Sequence, residues 1–395
     1  MSYSYRGIGR PSSRRHAQTS SRSSQRRRTK ENINPSRFVK AARAAHAETY
    51  TPQHSFADFA VHKLLQANIH NRGFTAPSPI QDQAIPEGLA GHDVVGIANT
   101  GTGKTIAFAL PVLHRLLTDP QARVLILAPT RELATQIEDE CRMLAKGSGL
   151  YSALLIGGAS MSVQLRNLRN RPAVVIGTPG RIKDHLQRGS LDISKFTAIV
   201  LDEVDRMLDM GFVTDIRWIL SRLPAVRQSF FFTATLEASV GQLIREFSHN
   251  PVTISVKTGE TTDTVEQGVI TYASKSERLD RLHELLLKAP KTLVFDETQR
   301  GVERLNDELQ ARGFQVDAIH GGKTQGQRQR ALNKFKADEI TVLVATDVAA
   351  RGIDVSDITH VINFSTPNSY DDYVHRIGRA GRAGKQGFAF TFIET

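Results

Sequence analysis

Short uninterrupted apolar runs recur along the chain, separated by longer amphipathic stretches. Val94–Ala98, Val124–Ala128, Ala153–Gly157, Ala173–Gly177, Ala198–Leu201 and Phe230–Phe232 each have strand length, and polar, Gly or Pro punctuation follows each. Runs rich in Val, Ile and Leu without alternation predict strands buried on both faces. Their alternation with helix-length segments predicts βαβ units and a parallel sheet. The rhythm pauses at the polar stretch Lys257–Asp263 and then resumes with Val269–Tyr272, Leu293–Phe295, Val316–Ile319, Val342–Ala345, Val361–Phe364 and Phe388–Phe392. The pattern therefore predicts an α/β protein with one parallel-sheet domain over 49–256, a linker over 257–264 and a second such domain over 265–395. In sheets of this kind ligands bind at the carboxyl ends of the strands.

Composition adds a third region. Of 51 Lys and Arg against 40 Asp and Glu in 395 residues, residues 1–48 hold 12 and 2, so nearly all of the +11 net charge sits in the first eighth of the chain. That segment is rich in Arg and Ser, with a triplet at Arg26, Arg27 and Arg28, and poor in apolar residues. It is expected to be a disordered basic tail, with a short helix available to Phe38–Ala47. Three uses are open to it: a salt-dependent tether for phosphate backbones, a solubilising tail, or an organelle transit peptide. No apolar run approaches the length of a membrane span, and no signal-peptide core is visible at the start. The single cysteine, Cys141, excludes an intrachain disulfide and a cysteine-based metal site, and fits a reducing compartment.

Two motifs bring chemistry. Residues 96–105 read GIANTGTGKT and follow the run Val94–Ala98 directly, the strand–loop–helix context of a phosphate-binding loop. Gly101 and Gly103 let backbone amides turn toward phosphate oxygens, and a helix N-terminus adds its dipole. Lys104 is placed to reach the β- and γ-phosphates of ATP, and Thr105 to hold Mg²⁺. Asp202, Glu203, Val204 and Asp205 follow the run Ala198–Leu201. A carboxylate at a buried strand end, Asp202, suits Mg²⁺, and the adjacent Glu203 suits a general base for an attacking water.

With these two motifs in place, the chain from Phe56 to Arg382 resembles the DEAD-box family of RNA helicases. The resemblance implies two tandem RecA-like domains, ATP and Mg²⁺ as cofactors, and RNA bound through its backbone. It assigns the peptide 73–81, GFTAPSPIQ, to adenine recognition, with Gln81 on the base edge, Phe56 packed on the base and Phe74 nearby. Thr100, Gly101, Thr102, Gly103, Lys104 and Thr105 then hold the phosphates, and Asp354 of ATDVAARGID the ribose. RNA contacts fall to Pro129, Thr130 and Arg131, to Gly158 of the Gly157–Gly158 pair, to Thr178 and Arg181, and to Thr346. In the second domain Phe295–Thr298 fits a loose FxxT pattern and Gln327–Arg330 fits QxxR, making Arg330 a phosphate contact. Asp296 and Glu297 are expected to turn away from RNA. Thr233-Ala234-Thr235 stands where the family has Ser-Ala-Thr and, with Asp205 and His375, implies coupling between ATP and RNA. In HRIGRAGR, Arg376, Arg379 and Arg382 recur every three residues, so a helical segment would place them roughly along one face, and they are expected to lack acidic partners. Arg379 and Arg382 are the implied arginine fingers.

Two departures stand out: Val204 replaces the family's Ala, and the chain ends at Thr395 soon after the last motif, leaving the basic tail as the expected substrate-selecting extension. The catalytic set, Lys104, Asp202 and Glu203 against Arg379 and Arg382, is divided between the domains. The expectation is therefore an ATP-dependent RNA helicase, a cytoplasmic monomer away from membranes, which hydrolyses ATP only when its domains close. An ATP-gated RNA clamp and a DNA-directed helicase are the alternatives.

Overall fold

In the computed structural model, the described residues are 33–41, 50–99, 101–256, 264–350, 355, 357–381 and 386–395. The apolar runs fold as two wholly parallel sheets. The first contains β1 (Val94–Ala98), β2 (Val124–Leu127), β3 (Ser152–Leu155), β4 (Val174–Gly177), β5 (Ala198–Leu201), β6 (Gln228–Thr233) and β7 (Val252–Val256), in the spatial order β3-β4-β2-β5-β6-β1-β7. The second contains β8 (Val265–Tyr272), β9 (Thr292–Phe295), β10 (Val316–Ile319), β11 (Val342–Ala345), β12 (His360–Asn363) and β13 (Gly387–Glu394), in the order β10-β11-β9-β12-β13-β8. Strands β1, β2, β4, β5 and β6 are buried along their whole length. Each sheet separates two apolar clusters, one per face, as near-continuous Val, Ile and Leu runs require. One strand, β7, was not expected. Its sequence, VTISV, alternates apolar and polar residues because it lies at the sheet edge, where one face meets water.

The tail reading needs a correction. Residues 1–32 and 42–49 lie outside the described residues, but Ile33–Ala41 is built onto the second domain. Pro35–Phe38 forms a short 3₁₀ turn, Lys40 pairs with Gln267 of β8, and Phe38 is fully buried. The short helix expected over Phe38–Ala47 does not start at Phe38, which ends the turn instead. Averaging composition over 48 residues hid a compact apolar motif within an Arg- and Ser-rich stretch.

Asp93, just before β1, ties one edge of the first sheet together. Its Oδ1 accepts from Ser229 N–H at 2.6 Å and its Oδ2 from His249 N–H at 2.7 Å. It thus fixes β6 and the approach to β7 on either side of the strand that carries the phosphate loop. Asp93→Ala strands two inward-facing N–H groups and is predicted to destabilise the first domain by about 3 kcal/mol, read as a lowered midpoint in thermal or urea unfolding.

Candidate functional site

The loop after β1 ends at Gly103, which caps the helix Lys104–Thr118 in a left-handed conformation, φ +92°. A side chain there would be strained and its Cβ would overlap the Gln81 amide. The closeness is made by hydrogen bonds: Gln81 Nε2 donates to Gly103 O at 3.1 Å, Ser78 N–H donates to Gln81 Oε1 at 2.9 Å, and Ser78 Oγ donates to Thr102 O at 2.7 Å. The expected base reader is therefore bonded to the phosphate loop itself. An amide carries two N–H donors and two lone pairs, so one of each remains for an adenine edge. Phe56 is 6% exposed and packs against Phe59 and Phe74, with centroids 5.9 and 6.0 Å away. Phe74, not Phe56, lines the cavity beside the loop.

Lys104 is buried, and its Nζ donates to Ala98 O at 3.0 Å, so the ammonium sits back against the end of β1. Asp202 and Glu203 follow β5. Burial raises the Asp202 carboxyl to about 6, with the Lys104 charge opposing the rise. Burial works on Glu203 in the same sense, but Arg206, then Lys104 and Arg379, outweigh it and hold that carboxyl below its ordinary value. Arg206 Nη1 stands 3.2 Å from Glu203 Oε2. Glu203 is also one of the few non-glycine residues at positive φ, +53°, a cost of about 1–3 kcal/mol that persists where a site demands it. Asp205 Oδ2 accepts from Ala234 N–H and Thr235 N–H, both at 2.9 Å, and from Thr235 Oγ1 at 3.3 Å. Thr233 Oγ1 donates to Thr235 O at 2.8 Å. The last acid of the box thus clamps the Thr-Ala-Thr strand end. Val204 is fully buried in the apolar cluster on that face of the sheet, so its side chain fills core rather than cleft.

Arg379 comes from the other domain. A cavity of about 470 Å³ is lined by Phe74, Gly103, Thr105, Asp202, Glu203 and Arg379, with Lys104 in its wall. Lys336, at the end of the helix Gln325–Lys336, reaches the same space and was missed, because nothing in a helix-end lysine marks it. Thr100, Asp354 and Arg382 lie outside the described residues.

Arg376 differs from its neighbour. It is buried, pairs bidentately with Asp347 (Nη2 to Oδ2, 2.7 Å) and donates to Asn363 Oδ1 at 3.1 Å and Ser365 O at 2.7 Å. The expectation of an arginine row without an acid is corrected: the acid is 29 positions away in sequence and meets Arg376 only in the fold. The helix ends at Ile377, so Arg379 stands in the following turn rather than on its face. His375 lies beside Phe295, Asp347 and Arg379.

Among the positions expected to contact RNA, Thr130 caps the helix Arg131–Leu144, accepting from Leu133 N–H at 3.2 Å, and Pro129 is buried before it. The Arg131 guanidinium lies over the Gly157–Gly158 backbone, where a Cβ on Gly158 would overlap it. Thr178 occupies the N-cap position of the helix Pro179–Gln187 without a side-chain capping bond, and Arg181 Nη1 is buried without a hydrogen-bond partner among the described residues. Thr346 is buried at the end of β11. In the FxxT segment Phe295 is core and Thr298 caps a helix, accepting from Gly301 N–H at 2.9 Å; Asp296 accepts from Glu297 N–H at 2.6 Å. Arg330 is exposed, its Nε bonded to Gly326 O within its own helix.

The QxxR pattern also fits two residues earlier, Gln325 to Arg328, and that register lies at the seam. Arg328 Nη2 is 2.7 Å from Glu132 Oε2, with both side chains buried, and Gln325 Nε2 donates to Glu132 Oε1 at 3.3 Å. Burial raises the Glu132 carboxyl, and Arg328 opposes it. The signal was present in the sequence, since both registers overlap, but only the fold distinguishes them.

Residues 78–243 match the family model described as DEAD/DEAH box helicase, and residues 274–384 match Helicase conserved C-terminal domain. Over 342 residues, 86% of this chain, it is 42% identical to ATP-dependent RNA helicase CshA of Listeria monocytogenes, covering 66% of that protein. It is equally identical, over the same length, to DEAD-box ATP-dependent RNA helicase CshA of Bacillus licheniformis, covering 70% of it. Among solved structures, S. cerevisiae Dbp5 bound to RNA and ADP BeF3 superposes with a TM-score of 0.76 at 29% identity, over 86% of this chain and 90% of that one. Mss116p bound to ssRNA and AMP-PNP gives 0.77 at 28%, over 87% and 75%. A DEAD box protein from Methanococcus jannaschii is 37% identical but scores 0.51, over 86% and 93%. The chain thus superposes better on those two structures than on one more similar to it in sequence.

Because Val204 fills core, Val204→Ala is predicted to leave ATP turnover within about twofold while lowering stability by about 1–2 kcal/mol, measured as steady-state ATPase beside a thermal melt.

Proposed function

The chain belongs to the DEAD-box family of ATP-dependent RNA helicases, and from that premise we propose that its two domains close over ATP and one RNA strand, hydrolyse the nucleotide only when closed, and so remodel short duplexes locally. The observation that carries this is the shared cavity, with Lys104, Asp202 and Glu203 on one wall and Arg379 on the other. Neither domain alone can surround a γ-phosphate, so the transition state is stabilised only across the seam.

In this reading Lys104 leaves the Ala98 carbonyl for the β- and γ-phosphates. Glu203, kept ionised by three cations, takes the proton of the attacking water. Arg379, with Arg382, donates to the phosphoryl oxygens as charge builds on them. Thr105 and Asp202 offer the hard hydroxyl and carboxylate oxygens that suit Mg²⁺, and the under-compensated burial of Asp202 fits a dication there. That ion would neutralise phosphate charge. Gln81 reads the adenine edge with its remaining donor and lone pair, Phe56 backs the base through Phe74, and Asp354 holds the ribose.

RNA lies along Arg131, Gly158, Thr178, Arg181, Arg330 and Thr346, and the unpartnered Arg181 nitrogen supports a phosphate at that point. These are backbone contacts, so binding is insensitive to sequence. Asp205, Thr233, Thr235 and His375 transmit closure between the two ligands. The enzyme acts as a cytoplasmic monomer, and residues 1–32, with nine Lys and Arg against one acid, add a salt-dependent RNA tether. Among the described residues no helix is long and apolar enough to cross a membrane.

Glu203→Gln is expected to keep ATP and RNA binding while RNA-stimulated turnover falls by about 10²–10⁴-fold; turnover at the wild-type rate would sink the base assignment. Arg328→Ala leaves Glu132 buried without its counter-charge on closing, so the closed state should lose about 3 kcal/mol. The expected signs are weaker RNA binding in the presence of ATP and unchanged RNA binding without it, measured by fluorescence anisotropy.

A further inference from the structure

Residues 33–41 precede the first domain in the chain but lie on the second. Phe38 and Ile33 belong to the core cluster of the second sheet, and the Phe38 ring centroid is 4.7 Å from that of Tyr373. The Arg37 guanidinium stands 3.6 Å from the centroid of the Tyr370 ring. Lys40 N–H donates to Gln267 O at 3.2 Å and Gln267 N–H donates to Lys40 O at 2.8 Å, which covers part of the outermost strand, β8. The Tyr373 hydroxyl in turn donates to Gln267 Oε1 at 2.9 Å. The turn is locally built: Asn34 Oδ1 accepts from Ser36 N–H at 3.0 Å, with Pro35 in the first position.

Both tyrosines belong to the helix Tyr370–Ile377, and Arg379 follows two residues after it ends. Among the contacts of that helix, two sets hold it from different sides. Arg376 ties it to Asp347 and Asn363 within the second domain, while Phe38 and Arg37 hold its first turn from outside. Covering an exposed strand edge would need only the Lys40–Gln267 pairing. The arm's largest buried side chain, Phe38, also packs on the helix that leads to the arginine.

We propose that residues 34–40 are a positioning element for ATP hydrolysis, in which Phe38 and Arg37 set the Tyr370–Ile377 helix so that Arg379 meets the γ-phosphate on closure. This rests on the role given to Arg379 above. It makes Phe38 a positioning residue, acting through the helix without touching the nucleotide. Small displacements suffice, since a misplacement of about 1 Å in a catalytic group can cost about 100-fold in rate.

The test uses the full-length protein and RNA-stimulated ATPase, at a temperature where circular dichroism shows every variant folded. Phe38→Ala is expected to lower kcat about tenfold with the KM for ATP within about twofold of wild type, and Phe38→Leu to restore most of the loss. Arg37→Ala opens no cavity and should lower kcat about twofold in the same way. In an Arg379→Ala background both changes should have no further effect, because they act through that side chain. Wild-type kcat in Phe38→Ala, or an undiminished effect in the Arg379→Ala background, would overturn the proposal. Should Phe38→Ala fail to fold, the Arg37→Ala cycle carries the same decision. Wild-type turnover in Arg379→Ala alone would overturn the reading of the site, and the proposal with it.

Discussion

Charge removed from water must find its counter-charge, and in this molecule several of the counter-charges belong to the other domain. Glu132 of the first domain is buried and is answered by Arg328 of the second. Glu203 is held ionised by Arg206 and Lys104 beside it and by Arg379 across the cleft. A pair of this kind contributes little as static stabilisation, because desolvation offsets most of the Coulomb attraction. It contributes strongly to alignment, because a mis-set seam leaves a buried charge alone. The seam therefore discriminates between correct and incorrect closure more than it glues the domains together.

The parallel sheets supply the rigid ends from which these charges project. Loops at the carboxyl ends of β1, β5 and β6 bring Lys104, the acidic box and the Thr-Ala-Thr segment together, and Asp205 bonds the last two directly. A shift of that strand end is felt at Asp205, and through its neighbours at Glu203. Packing below the site, including Val204, resists such shifts, which is why a residue without chemistry sits among the acids.

Most strands were legible because burial on both faces writes an unbroken apolar run. β7 was not, since an edge strand alternates and VTISV is too short to assert a period. The phosphate loop and acidic box were legible because each is contiguous and follows its strand. What could not be read was pairing between distant positions. Arg376 looked like its neighbours until Asp347 closed on it, and the overlapping registers Gln325–Arg328 and Gln327–Arg330 differ only in which one meets Glu132. The commitment of both Gln81 polar groups to local bonds is likewise a fact of geometry, invisible in the peptide GFTAPSPIQ.

The arm has a consequence for how the chain is made. Ile33 and Phe38 leave the ribosome more than 300 residues ahead of the Tyr370–Ile377 helix and β13 that receive them. At about 5–20 residues per second, roughly tens of seconds separate the two events. During that interval the first domain can complete its own sheet and phosphate loop, while two apolar side chains wait in water among arginines and serines. The second domain, by contrast, is finished only by a segment made before either domain existed. Order of synthesis thus ties the placement of Arg379 to a segment made before the first domain.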